Sequence, residues 1–192
     1  MNLPNKLTLS RFLLTILFVF FIIQKGPIFK IIATIIFLIA SLTDFYDGYL
    51  AKKHNLVSDF GKIMDPLADK FLILVAFFVF VRMKIIPSWM FVLIFTREFV
   101  VTGLRIFAIG QGKVIAAEKL GKYKTVSQII AISAILIFCI MKDFHVMQEG
   151  PLYFYLVTIV SILIYITIVL AVSSGISYLW HNRSLLYVTK IH

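Results

Sequence analysis

Acidic residues are scarce in this chain. Nine Asp and Glu stand against nineteen Lys and Arg, and charged side chains make up only 15% of the 192 residues. Soluble domains carry about 25%. With 61% apolar composition and a mean hydropathy of +1.00, that shortage excludes a soluble domain of this size and marks an integral membrane protein. A single cysteine, Cys139, sits in an apolar run, so no internal disulfide can form and the thiol reads as a packing residue. The four histidines, His54, His145, His181 and His192, are scattered without metal-ligand spacing. There is no Ser/His/Asp triad, no P-loop and no dinucleotide fingerprint. The first apolar run lacks a small-residue cleavage site and leads directly into further apolar runs, so it reads as retained rather than as a signal peptide.

What the chain does have is long hydrophobic runs, of the roughly 18 to 25 residues that cross a bilayer as a helix. They predict an all-α integral membrane bundle of six transmembrane helices, near 9–24, 29–52, 58–82, 88–109, 121–141 and 152–178, in one domain covering 1–192. Ahead of them, Pro4 and Asn5 are expected to break any helix before Thr8, leaving a short interfacial segment at the N-terminus. The net charge of +10 lies in short loops between the spans, so it reads as topology and not as a nucleic-acid surface. With the N-terminus in the cytoplasm, Lys6, Arg11, Lys52, Lys53, Lys62, Arg105, Lys113, Lys119, Lys122, Lys124, Arg183 and Lys190 fall on or near that side. Lys25, Lys30, Arg82, Lys84 and Lys142 fall on the other. This bias favours cytoplasmic N- and C-termini.

The acidic residues are concentrated. In the stretch SLTDFYDGYLAKKHNLVSDFGKIMDPLADKF, Asp44 and Asp47 are spaced i,i+3, and Asp65 and Asp69 are spaced i,i+4, so each pair shares one helix face. The polar run between them, with Asn55 as a helix stop and Ser58 as a cap, makes an antiparallel hairpin on which the four carboxylates can converge. Four uncompensated carboxylates in one pocket repel, so one or two oxygen-liganded divalent cations are the natural partner. Gly48 and Gly61 leave room for a ligand to approach the backbone, and Pro66 predicts a kink beside Asp65. The competing reading is a set of buried ion pairs with Lys52, Lys62 or Lys70, a costly use of acids in a membrane.

The pattern Asp44-x-x-Asp47-Gly48-x-x-Ala51-Lys52, then eight residues, then Gly61-x3-Asp65-x3-Asp69, resembles the signature of the CDP-alcohol phosphotransferase family of membrane enzymes. Lys52 departs from the arginine usual there and loses its bidentate fork. The resemblance implies that Asp44, Asp47, Asp65 and Asp69 hold Mg²⁺ or Mn²⁺, as a pair of ions, with Asp69 also the catalytic base. It implies that Asp47, Gly48, Ala51, Lys52 and Gly61 bind CDP-diacylglycerol. The opening P-N-x-L-T-x-x-R is similar to that of bacterial members, which adds Asn5 and Thr8 to that set; for Arg11 a basic membrane anchor competes. The family also implies a homodimer, and the same charge bias that sets the termini turns the aspartate hairpin toward the cytoplasm of a bacterial cytoplasmic membrane.

A second cluster, TREFVVTGLR, places Arg97 and Glu98 inside an apolar run. Arg97 and Arg105, eight residues apart, are about 80° around and about 12 Å along a helix, so both can line one cavity. A cation beside metal-neutralised carboxylates calls for an anion between them, and phosphate fits. The competing reading of Arg97 is an ion pair with Glu98, and that of Arg105 is snorkelling to the interface. Lys122 and Lys124 open a later helix, where a cation is not favoured by the helix dipole unless an anion offsets it. Arg97, Arg105, Lys122 and Lys124 therefore form a basic group suited to an acceptor that carries its own phosphate. The R-E-F-x-V-T-G-L-R and L-G-K-x-K-T strings resemble the phosphatidylglycerophosphate synthase branch of the family, which implies sn-glycerol 3-phosphate as acceptor. An inositol-phosphate transferase or cardiolipin synthase of the same family is the nearest alternative, and a divalent-cation transporter the alternative of another class.

Overall fold

The computed structural model describes residues 3–54, 59–111, 119–144 and 150–183, with side chains described within 9–43, 70–111, 120–144 and 150–183. The described residues form six helices and no strand: α1 (Leu3–Ile23), α2 (Pro27–His54), α3 (Asp59–Arg82), α4 (Ser88–Gly110), α5 (Lys119–Asp143) and α6 (Pro151–His181). Each coincides with one of the apolar runs. Among the described residues, Leu120–Asp143 and Pro151–His181 are long and apolar enough to cross a membrane, while Leu9–Ile23 and Pro27–Thr43 are shorter apolar stretches.

One expectation is corrected. The chain does not break at Pro4 and Asn5, because α1 is already helical from Leu3. Proline is costly inside a helix but tolerated in the first turn, where its missing N–H has no intrahelical partner to lose. The predicted interfacial segment is therefore the opening of α1 itself. Helix α3 is continuous through Pro66. The expected stop at Asn55 and cap at Ser58 lie outside the described residues.

The helices close a ring. Helix α1 packs on α2, α2 on α5, α5 on α6, α6 on α4, α4 on α3, and α3 back on α1, with contacts between α3 and α5 bridging the middle. Phe18, Phe37, Phe77, Phe80, Ile132, Ile135 and Leu136 fill the interior at 1% exposure or less, and the Phe18 and Phe37 rings meet at 5.8 Å. The outside is as apolar as the inside, with Phe99, Phe154 and Val169 standing more than half exposed. A surface of that kind is suited to hydrocarbon rather than water.

Local chemistry sets the turns at one end. After α3, Lys84 adopts φ 59°, its N–H bonds the Val81 carbonyl and that of Ile85 bonds the Phe80 carbonyl, the paired bonds that end a helix on a left-handed residue. Gly26 takes φ 111° between α1 and α2, and its N–H donates to Asp143 Oδ2 at 3.2 Å, tying that turn to the end of α5. Buried Lys30 donates to the carbonyls of Ile22 and, at 2.7 Å, Gln24, capping α1 with positive charge where its dipole is negative.

Candidate active site

The four aspartates stand on helical backbone, Asp44 and Asp47 in α2 and Asp65 and Asp69 in α3. Because both segments are regular helix, the i,i+3 and i,i+4 spacings do put each pair on one face. The side chains themselves, like those of Asn5, Thr8, Ala51 and Lys52, lie outside the described residues, and Gly48 and Gly61 are placed only as backbone in α2 and α3. A set of four carboxylates is an oxygen-only donor set, which fits Mg²⁺ or Mn²⁺ and disfavours softer metals. Residues 55–58 are all that connect α2 to α3, so the two helix ends stand within about 18 Å of each other, a bound set by chain length.

Around the second cluster the side chains are defined, and their centre is Glu98. It is 2% exposed, on the inward face of α4. Lys124 of α5, equally buried, donates to Glu98 Oε1. Arg97 Nη1 reaches both carboxylate oxygens, at 3.2 and 3.3 Å. Lys70 Nζ of α3 stands 3.9 Å from Oε2 and donates to Thr102 Oγ1 at 2.6 Å. Arg97 Nη2 continues to Ser174 Oγ of α6 at 3.0 Å. Four helices thus meet in one hydrogen-bonded charge cluster. Burying it is tolerable only because each charge has an opposite charge or a dipole against it.

Arg97 needs space to lie there, and small residues make it. A β-carbon on Gly175 would stand 2.9 Å from Arg97 Cγ, and one on Gly121 would stand 4.0 Å from Arg97 Nη2. The ion pair weighed against a binding role for Arg97 is present. It does not use the residue up: Arg97 Nε is buried without a hydrogen-bond partner among the described residues.

The remaining members of the basic group are placed differently. Arg105 is partly buried two turns along α4, with its Nε also lacking a partner among the described residues. Lys122 is exposed, because two residues along a helix is about 200° and turns it away from Lys124. Arg97 and Lys124 are therefore brought together, and Lys122 is not. Lys70, Thr102, Ser174 and Gly175 belong to the cluster without having been assigned to it from sequence. Thr102 has the one legible signal, being four residues beyond Glu98 and so on its face.

A small cavity is lined by Arg11, Ala40, Ser41, Leu72, Ile73, Thr125 and Ile129. Ser41 precedes Asp44 by three residues and shares its face of α2. Arg11 is only 6% exposed, which is not the setting of an anchor in the headgroups.

An apolar chain, all-helical among the described residues, that carries two aspartates on each of two helices and buries a cation-rich cluster where α3, α4, α5 and α6 meet defines a class, the helical membrane protein with an embedded polar site. Its sequence matches the CDP-alcohol phosphatidyltransferase family model over residues 1–173, and the chain belongs to that family. It is 45% identical over 148 residues to a Bacillus subtilis protein named CDP-diacylglycerol–glycerol-3-phosphate 3-phosphatidyltransferase, covering 71% of this chain and 77% of that one. Proteins of the same name from Rickettsia bellii, 34% identical over 92% of this chain and 93% of the relative, and Treponema pallidum, 34% over 80% and 71%, are similar to it as well.

Proposed function

We propose that this protein transfers the phosphatidyl group of CDP-diacylglycerol to sn-glycerol 3-phosphate, giving phosphatidylglycerol phosphate and CMP. One observation carries the choice of acceptor. Glu98 gathers Arg97 and Lys124, which outnumber it, in a buried cluster that also includes Lys70, the residue directly after Asp69. An acceptor that brings its own phosphate suits such a place, whereas a neutral alcohol would leave the cations unused. The names of the relatives agree with it.

In this reading the acceptor's phosphate is held by Arg97, Arg105, Lys122 and Lys124, with Lys122 contributing from the exposed side. CDP-diacylglycerol is held by Asn5, Thr8, Asp47, Gly48, Ala51, Lys52 and Gly61. Asp44, Asp47, Asp65 and Asp69 would hold Mg²⁺ or Mn²⁺, which supplies positive charge for the diphosphate when bound. Asp69 accepts the proton of the acceptor hydroxyl. The hydroxyl oxygen forms a bond to the phosphorus that carries diacylglycerol, the bond from that phosphorus to the bridging oxygen breaks, and CMP leaves with the bridging oxygen. Burial of the cluster strengthens each electrostatic contact by keeping water away.

The chain is read as one domain, 1–192, whose six helices span a bacterial cytoplasmic membrane with both termini and the aspartates on the cytoplasmic side. A homodimer is expected from the family. Support for six spans comes from the agreement of all six helices with the apolar runs and from the apolar outer surface.

The test is release of CMP from CDP-diacylglycerol by the purified protein in detergent, with a panel of alcohols, before and after chelation. Release that requires glycerol 3-phosphate and Mg²⁺ or Mn²⁺ is expected. Release with inositol phosphate or phosphatidylglycerol in its place would assign a sister reaction, and metal uptake into vesicles without CMP would remove the enzymatic reading.

A further inference from the structure

We infer that Glu98 is a positioning residue for the acceptor phosphate: it holds Arg97 and Lys124 in a fixed array and does not merely cancel their charge. This rests on the proposed use of a phosphate-bearing acceptor.

Glu98 is placed to do this by burial and by reach. At 2% exposure it has little contact with solvent, so its two oxygens are committed to the side chains around it. Those side chains come from different helices: Lys124 from α5, Lys70 from α3, and Arg97 from its own helix α4. A single carboxylate balances at most one of Arg97 and Lys124. Without it, two buried cations would repel and part, and an array splayed in that way must be reassembled for every acceptor that binds.

The cations retain capacity for a ligand while being held. Lys124 gives one of its three N–H groups to Glu98. Arg97 gives Nη1 to Glu98 and Nη2 to Ser174, which fixes the guanidinium plane, and leaves Nε buried and unmet among the described residues. Gly175 bears on the stem of the same side chain. Arg97 is thus oriented by Glu98 on one side and by Ser174 on another. Neighbouring helices supply further hydrogen-bonding atoms that are unmet among the described residues, the Gln128 amide one turn beyond Lys124 and the Tyr178 hydroxyl one turn beyond Ser174.

The two roles predict opposite signs. If Glu98 only neutralised charge, its removal would free the cations and glycerol 3-phosphate would bind more tightly. If it positions them, the acceptor binds more weakly although the pocket becomes more positive.

The experiment compares the wild type with Glu98→Gln and Glu98→Asp in detergent, measuring KM for each substrate, kcat, and the thermal shift produced by glycerol 3-phosphate alone. Glu98→Gln is expected to raise KM for glycerol 3-phosphate at least tenfold, leave KM for CDP-diacylglycerol within about twofold, and abolish the thermal shift, as the loss of preorganised binding requires. Glu98→Asp, which keeps the charge one methylene shorter, is expected to lose less, and it carries the test if Glu98→Gln does not fold. An unchanged or lowered KM for the acceptor in either folded variant, or equal rises in both KM values, would overturn the assignment. Acceptor dependence in the wild type tests the reaction separately. Should another phosphate-bearing alcohol prove to be the acceptor, the same ratios are read on that one.

Discussion

Gly175 lies so close to Arg97 that a methyl group on it would stand 2.9 Å from Arg97 Cγ. A β-carbon does not occupy that distance without displacing its neighbour. The displaced stem carries a guanidinium bound to Glu98 and Ser174. Gly175→Ala is therefore expected to raise KM for glycerol 3-phosphate several-fold and to lower stability by about 1–3 kcal/mol, the usual cost of overpacking. Steady-state kinetics together with thermal unfolding in detergent checks this, and a variant as stable and as active as the wild type would show that Arg97 has room to spare.

Asp69→Asn removes the proposed base while keeping its size. Loss of CMP release by about 10²–10⁴-fold is expected, the range a general base contributes. The variant should retain its helical circular dichroism and its elution volume. Near-normal turnover would remove Asp69 from that role.

The basic residues should not be equivalent. Arg105→Ala is expected to raise KM for glycerol 3-phosphate more than KM for CDP-diacylglycerol. Lys122, exposed on α5, can act only through solvent-screened attraction. Lys122→Ala should therefore have an effect of less than about threefold that disappears at 0.5 M salt, where charges are screened over about 4 Å. A salt-independent loss at Lys122 would place it in direct contact with the acceptor.

Lys30 offers a control far from the chemistry. It lies fourteen residues before Asp44 on α2, about 21 Å along the helix. Lys30→Met removes the hydrogen bonds to the Ile22 and Gln24 carbonyls and should destabilise the fold by about 1–3 kcal/mol. KM for both substrates should be unchanged in the folded fraction, and a selective rise in either would link this end of the bundle to the site.

Much of the architecture was legible because a bilayer constrains sequence more tightly than water does. An apolar run of sufficient length has to become a helix, since an open backbone in hydrocarbon leaves every amide unsatisfied. The helices accordingly begin and end within a few residues of the apolar runs, and the exception, α1, turned on the tolerance of a helix's first turn for Pro4. The aspartate faces were legible for a related reason: i,i+3 and i,i+4 spacing is a property of one helix and needs no partner.

The Glu98 cluster was only partly legible. Residues adjacent on a helix do not normally face one another, so the string Arg97-Glu98 did not show whether the guanidinium would fold back onto the carboxylate. Ser174 and Gly175 are small residues in a mostly apolar helix, and nothing local to α6 says that the side chain they admit is an arginine from α4, 77 residues earlier than Ser174. By itself the sequence determined the helices, most of their limits, the helix face that each aspartate pair shares and the presence of a basic group, because each follows from composition or from spacing along one segment. Only the tertiary structure decided that α4 and α5 meet at Glu98, that Lys124 turns inward while Lys122 turns out, and that α6 opens a notch for Arg97. Those facts depend on which helix faces pack together, and packing is a relation between segments that no single segment encodes.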